Sequence, residues 1–258
     1  MPEEKTSNAV ERTFSILELV AESTNGLTNS DISRRLKLPK SSASYILRVM
    51  ENRGYLNRAD GKYRLGLKLM SLSRGQLAHV DVREVAKPIL EQFLLKSRMS
   101  EAHLAVLDNG RAVYVEKVEA ENSFIKMDIW VGHRLPIHTT AIGKILVANL
   151  PDEEIIKILE LRGMERKTRH SITSKTKFLH EIERVRKYGV AIDNQENSLN
   201  VRCLAAPIYN QKGETIAALG TSATILQLDE AHLPKVIESV KEAARRVSEQ
   251  MGFFQTKQ

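Results

Sequence analysis

Between Lys40 and Arg48 the chain sets Lys40, Ser41, Ser42, Ser44, Tyr45 and Arg48 around Ala43, Ile46, Leu47 and Met50. On a helix this spacing sends the apolar side chains to one face and leaves hydroxyl and basic groups on or near the others. Such a surface donates hydrogen bonds and carries positive charge, which is the chemistry that meets a polyanion. A guanidinium donates two bonds to a guanine edge, so Arg48 is the expected base-reading group. Lys40, with Ser41 and Ser42 close to the helix start, is expected on phosphate. Arg34, Arg35, Arg58, Lys62 and Arg64 should add mostly sequence-independent attraction.

Catalytic constellations do not assemble from the remaining residues. There is no Gly-rich phosphate loop, no dinucleotide fingerprint and no nucleophile elbow. His133 and His138 are near each other in sequence but lack a third ligand, so they read as structural or loop residues. Cys203 sits in the apolar run VRCLAAPI and reads as packing or as a pocket wall rather than a reactive thiol. As the single cysteine it makes no internal disulfide and founds no cysteine-rich metal site. No enzyme activity, metal or cofactor is expected.

The elements that must position the polar cluster are legible on either side of it. Val10, Phe14, Leu17 and Val20 or Ala21 recur as one stripe of a first helix, which Asn25-Gly26 ends with a turn. Thr28 caps a second helix, with Asp31 at the third helical position of a capping box. Ile32 and Leu36 are expected inward, and Arg34 and Arg35 outward. Pro39 suits the first turn of a third helix that runs to about Glu51, with Gly54 as its left-handed cap. Two short helices with a tight connection make a helix-turn-helix. Tyr55–Arg58 and Lys62–Leu65 then read as a hairpin about Ala59-Asp60-Gly61, a wing beside the third helix.

Charge follows the same division. The chain has 258 residues and a formal net charge of +7. Residues 1–80 contain 13 Lys/Arg and 8 Asp/Glu, while the other 178 residues contain 26 and 24. The excess is therefore concentrated where the helix-turn-helix lies, which favours nucleic acid as the partner. Hydrophobic residues at 42% and charged residues at 28% are a globular balance. No apolar run approaches the roughly 20 residues of a membrane helix, and the start MPEEKTSNAV lacks the pattern of a secretory signal, so a soluble, cytoplasmic protein is expected.

Residues 66–98 are mostly helical in pattern, with a break at Arg74-Gly75 or near His79–Asp81. Leu67, Leu69, Met70, Leu72 and Leu77 are too apolar for one isolated helix, so a second subunit is expected to cover part of this surface. A hairpin is expected at 101–118 about Asp108-Asn109-Gly110, then a loop, then an apolar helix at Thr139–Leu150. A helix opening at Pro151, a basic helix from Thr173 to about Lys187, strands at Val190–Ile192, Val201–Ile208 and Thr215–Gly220, and a last helix at Asp229–Met251 follow. Helices mixed with antiparallel hairpins make an α+β domain.

Several blocks, in order, resemble the IclR-type bacterial transcriptional regulators over nearly the full length. They are Ala9–Glu18, Asp31–Ser41, Glu51–Leu56 and Gly61–Gly66 in the first part. In the second they are His103–Leu107, Val131–Lys144 and Val201–Pro207, with Glu242–Arg246 in the last helix. The resemblance implies an N-terminal winged helix-turn-helix (1–66), a linker helix (67–80) and a GAF-like effector-binding and oligomerisation domain (81–258). It implies a homodimer or tetramer on a palindromic operator in double-stranded DNA, sensing a small carboxylic or sugar acid and acting as a repressor of a metabolic operon. Asn200 stands where the family commonly has glycine before the Val-Arg-Cys element, and Asn tolerates a left-handed backbone.

The family's effector cavity maps here to Gly132–Ile142, Leu104–Leu107, Asp193–Asn197, Arg202–Leu204 and Leu219–Ser222. Within it Gly132, Thr139, Thr140, Ala141 and Gly143 form a loop-to-helix entry, where a helix N-terminus favours a carboxylate. Asp193, Asn194 and Glu196 are expected to receive ligand hydroxyls, and Leu104, Cys203, Ala205, Leu219 and Thr221 to supply strand-borne walls. Two other classes compete with this reading: a constitutive architectural DNA-binding protein, and an enzyme tethered to DNA by its first domain.

Overall fold

The computed structural model describes residues 9–77, 81–120 and 128–253. It forms two compact units, Met1–Val80 and Asp81–Gln258. The first contains α1 (Ala9–Ala21), α2 (Asn29–Arg35), α3 (Lys40–Asn52), β1 (Leu56–Ala59), β2 (Lys62–Leu65) and α4 (Lys68–Leu77). Ile16 and Val20 of α1, Ile32 of α2, and Ala43, Ile46, Leu47 and Met50 of α3 close its core with Leu27, Leu56 and Tyr63.

The stripe expected on α1 is corrected. Val10 and Phe14 are exposed and Leu17 is only half-buried; of that stripe Val20 is buried as expected, and Ile16 joins it on the core face. Both stripes have helical spacing, so periodicity alone does not choose between them. Leu36 is likewise only half-buried. Thr28 and Asp31 form the expected reciprocal box: Thr28 Oγ1 accepts from the Asp31 amide, and the Asp31 carboxylate accepts from the Thr28 amide. Gly54 follows α3 at φ 76°, as its cap requires. Asp60 and Gly61, at φ 53° and 74°, make a two-residue turn between Ala59 and its partner Lys62. A backbone bridge from Leu27 to Tyr63 ties this wing to the connection between α1 and α2.

The second unit holds α5 (Asp81–Ser97), β3 (Glu101–Asp108), β4 (Arg111–Glu119), β5 (Arg134–Pro136), α6 (Ala141–Ala148), α7 (Asp152–Arg162), α8 (Lys175–Tyr188), β6 (Ala191–Asn194), β7 (Val201–Tyr209), β8 (Thr215–Thr224) and α9 (Leu233–Gln250). Its strands form one six-stranded antiparallel sheet in the order β5-β4-β3-β8-β7-β6. The short β5 lies in what the sequence reads as loop. α6 packs on one face of the sheet, with α8 behind it, and α5 and α9 pack together on the sheet as well. This is an α+β, GAF-like arrangement.

Two glycines permit the close approach of α6. A Cβ at Gly220 would lie 2.8 Å from Leu204 O and 2.9 Å from Ile142 Cγ1. One at Gly143 would lie 2.4 Å from Ile137 Cα. Gly220 therefore turns toward α6, and the period-two alternation of the strands assigns Ala218 and Ser222 to the same face. Leu104, Leu219 and Thr221 belong by the same alternation to the other face. Asn200 adopts φ 62° before β7, the conformation its amide side chain tolerates.

Candidate nucleic-acid interface and effector cavity

The capped α2 and the proline-started α3 expose a groove of about 350 Å³ lined by Asn29, Ser41, Ser44, Tyr45, Arg48, Glu51, Arg58 and Tyr63. Tyr45 is 63% exposed although it is aromatic, which no requirement of the unit's own core explains. Arg48 is exposed and, among the described residues, makes no ion pair with Glu51 or Glu11. Arg58 reaches back over the Tyr63 ring, 5.4 Å from its centroid, so the wing holds its guanidinium beside α3.

Of the residues read from sequence, Ser41, Ser44, Tyr45, Arg48 and Arg58 come together at this groove. Lys40, Arg35 and Arg64 are exposed and Ser42 and Lys62 half-buried, but none of them lines it. Arg34 also lies outside it and is paired to Asp31 at 2.9 Å. Asn29 lines the groove as well, although the sequence pattern does not mark it as a site residue. Its Nδ2 donates to Ser44 Oγ at 2.6 Å and its Oδ1 accepts from Ser33 Oγ at 3.2 Å, so it fixes α3 against α2. Its signal in sequence is a small polar residue directly after a helix cap, which many surface positions share.

The second site lies between the sheet and the N-terminal end of α6. It is a cavity of about 30 Å³ lined by His103, Tyr114, Ile129, Leu135, Thr140, Ala141, Ile142, Asp193, Asn197, Cys203, Leu204, Thr221 and Ser222. Thr140 caps α6: its Oγ1 accepts from the Gly143 amide at 3.1 Å and donates to Pro136 O at 2.9 Å. Asp193 on β6 faces Cys203 of β7. One of its oxygens, Oδ1, accepts from the amides of Glu196 and Asn197 at 2.6 and 3.4 Å; the other, Oδ2, is buried without an amide or hydroxyl donor among the described residues, and the carboxyl lies against the Cys203 thiol. Burial pushes the Asp193 carboxyl up to about 7, against the pull of those amides. Burial also pushes the Cys203 thiol well up, so it is not a thiolate at neutral pH.

Thr140, Ala141, Asp193 and Cys203 are thus brought together as expected, and Thr221 borders the cavity although its strand position turns its side chain to the other face, where it donates to Glu101 O. Gly132, Thr139, Gly143, Glu196, Leu104, Ala205 and Leu219 do not line the cavity. Gly132 is exposed in a turn at φ 93°. Thr139 donates instead to Asn197 Oδ1 at 3.2 Å. Gly143 gives its amide to the Thr140 cap and its missing Cβ to helix packing. Leu104 and Leu219 belong to the opposite face of the sheet, and Ala205 is in the core beneath α6.

Glu196 is withdrawn from the cavity by a residue the sequence reading did not single out. Lys144 is fully buried, and its Nζ donates to Glu196 Oε1 at 2.6 Å, Ile192 O at 2.7 Å and Glu181 Oε1 at 3.1 Å. All three ammonium hydrogens are used. Burial pushes the Glu196 carboxyl up while Lys144 holds it down. His133 stacks on Trp130 at 3.9 Å and His138 bonds Glu165 O at 3.0 Å, so each has a packing or loop partner. Among the described residues no cluster of three or more His, Cys, Asp or Glu is arranged to hold a metal ion. Among them, too, no helix is long and apolar enough to cross a membrane.

Residues 9–60 match the IclR helix-turn-helix domain, and residues 75–249 match the C-terminal domain of the bacterial transcriptional regulator IclR. The chain belongs to the IclR family. Within that family it is 34% identical over 247 residues to the HTH-type transcriptional regulator XynR of Escherichia coli K12, covering 95% of this chain and 97% of that one. The HTH-type transcriptional repressor AllR of the same strain is 28% identical, over 96% of this chain and 92% of its own. A solved IclR homolog from Microbacterium hydrocarbonoxydans, complexed with 4-hydroxybenzoate, superposes with a TM-score of 0.82 at 26% identity, covering 95% of this chain and 99% of that one. This IclR-family chain is a ligand-responsive, DNA-binding transcriptional regulator.

Proposed function

We propose that α3 enters the major groove of a palindromic operator and that Arg48 reads a base edge there, flanked by Ser41, Ser44 and Tyr45. Lys40 and Ser42 anchor phosphate, and Arg34, Arg35, Arg58, Lys62 and Arg64 supply sequence-independent attraction. The observation that carries this reading is Arg48, exposed and without an ion pair among the described residues, in a groove with exposed Tyr45 and the wing's Arg58. The regulator works as a homo-oligomer in the cytoplasm and performs no catalysis. Leu67 at 81% and Met70 at 70% exposure give the connector an apolar face that a second subunit would cover.

A small carboxylic or sugar acid enters the cavity at the head of α6, lined by Thr140, Ala141, Asp193, Cys203 and Thr221, and lowers operator affinity. The 4-hydroxybenzoate complex of one family member supports an acid, and the name of AllR supports repression. Acid binding changes DNA affinity only by as much as the two states of the protein differ in affinity for the acid. The test is retention of the DNA upstream of the protein's own gene, with and without a panel of carboxylic and sugar acids. The expected result is one specific site whose half-sites lie about one helical turn, roughly 34–36 Å, apart and which an acid releases. Retention of all duplexes alike, unchanged by any acid, would favour an architectural protein.

A further inference from the structure

A serine hydroxyl both donates and accepts hydrogen bonds, so a serine on a recognition helix does not by itself distinguish one base from another. Ser44 is exposed in the groove of α3, one helical turn before Arg48 and on the same face. It does not stand by itself. Ser33 of α2, only 6% exposed, donates through its Oγ to Asn29 Oδ1 at 3.2 Å, and Asn29 Nδ2 donates to Ser44 Oγ at 2.6 Å. The three groups form a relay with one direction, from the buried hydroxyl through the amide to the exposed hydroxyl.

That direction decides what Ser44 offers. An oxygen that accepts from Asn29 has its own hydrogen turned away from the amide. Serines within helices often return this hydrogen to the carbonyl four residues back, as Ser239 does to Lys235 O and Ser248 to Ala244 O. Ser44 makes no such bond to Lys40 O, and among the described residues its hydrogen has no acceptor. Accepting one bond also polarises the hydroxyl and strengthens the bond that it donates. The second amide hydrogen of Asn29 has no acceptor among the described residues either, and Asn29 lines the same groove. At this point the groove presents two donors whose heavy atoms lie 2.6 Å apart.

We propose that Asn29 is a positioning residue for sequence reading: it fixes Ser44 as a hydrogen-bond donor, so the operator presents an acceptor there, a purine N7, guanine O6 or thymine O4, and cytosine is excluded. The inference rests on α3 as the base-reading helix and adds the polarity of one of its contacts. In the major groove cytosine offers only its N4 amino hydrogens, and these would meet two donors with no acceptor between them. Adenine is admitted through N7. The buried Ser33 holds Asn29 by its Oδ1, which keeps Nδ2 rather than the oxygen against Ser44. A phosphate oxygen would also accept from Ser44, but it carries no sequence information, so base dependence separates the two contacts.

The test measures the affinity of the full-length protein for a duplex selected in vitro from a random-sequence pool, for the same duplex with each base of a half-site replaced in turn, and for random duplex. The variants are Ser44→Ala, Asn29→Ala and Asn29→Asp. Wild type is expected to lose about five- to tenfold where cytosine replaces the acceptor base at one position near the guanine assigned to Arg48. Asn29→Ala and Ser44→Ala should each reduce that discrimination to less than about twofold and leave the other positions selective. The carboxylate of Asn29→Asp accepts from Ser33 and Ser44 alike and turns the Ser44 hydrogen inward, so preference at that position should move toward cytosine. Its added negative charge weakens all duplexes together and cancels in the ratio, and loosened helix packing would not reverse a preference. Unchanged preference in Asn29→Ala, or relaxation at every position alike, overturns the proposal and leaves Asn29 as a link between two helices. Equal losses on selected and random duplexes in both alanine variants overturn it in favour of a phosphate contact. A wild-type preference in Asn29→Asp, or a preference for cytosine in the wild type that Ser44→Ala removes, overturns the direction of the relay. Discrimination at no position by the wild type removes the reading of α3 and this proposal together.

Discussion

Lys144 Nζ lies 2.6 Å from Glu196 Oε1, and the lysine side chain has no contact with solvent. The pair joins α6 to the segment after β6 that carries the backbone of the Asp193 turn, so it fixes both walls of the cavity at once. Lys144→Met removes the partner of a buried carboxylate and should cost about 3–5 kcal/mol. Glu196→Gln added to it should restore part of that loss, as read from urea midpoints. A double variant whose loss is the sum of the two singles would mean that the pair does not act as a unit.

Asp193 makes stability depend on pH. Its folded-state carboxyl titrates near 7 against an ordinary value of 3.8, so the folded protein holds the proton more tightly than the unfolded chain. The resulting stability is present below the ordinary value and is lost as pH rises toward 7. Asp193→Asn has no such loss and should gain roughly 2–3 kcal/mol on the wild type between about pH 5 and pH 8. Denaturant unfolding of both proteins across that range checks it; a constant difference would contradict it.

Lys62 lies on the wing, outside the groove of α3. Lys62→Ala should weaken binding to operator and random duplex alike and reduce the salt slope by about one. Anisotropy titrations at several salt concentrations measure both quantities. Loss of operator preference alone would reassign this lysine to base reading.

Leu67 and Met70 present an apolar face on and beside α4. Placing Glu at both positions should shift the protein toward monomer and weaken binding to a two-half-site operator more than to a single half-site. Sedimentation at micromolar concentration reads the first effect. A wild-type protein that is monomeric both free and on DNA would refute the interface.

Local rules carried much of the fold into view from sequence. The Thr28–Asp31 box, the Asp60-Gly61 and Asn109-Gly110 turns, and the left-handed Gly54, Gly189 and Asn200 are each determined by a few adjacent residues. What escaped depends on partners far along the chain. Val10 and Phe14 look as buriable as Ile16 and Val20 until α2 and α3 select the core face. Leu104 and Leu219 pass for cavity walls until the strand register assigns them to the other side of the sheet. Lys144 sits in an apolar helix, and only the approach of Glu181 and Glu196, 37 and 52 residues away, explains its burial. Asn29 gains meaning only from Ser44, fifteen positions on.

The central claim is that α3 reads sequence through Arg48, and the most direct measurement is the affinity of Arg48→Ala for a selected operator and for random duplex at one salt concentration. The account predicts a loss of about 1–3 kcal/mol on the operator, roughly 5- to 150-fold, with the random duplex changed by less than about threefold. Equal losses on both duplexes, or no loss on the operator, would contradict it.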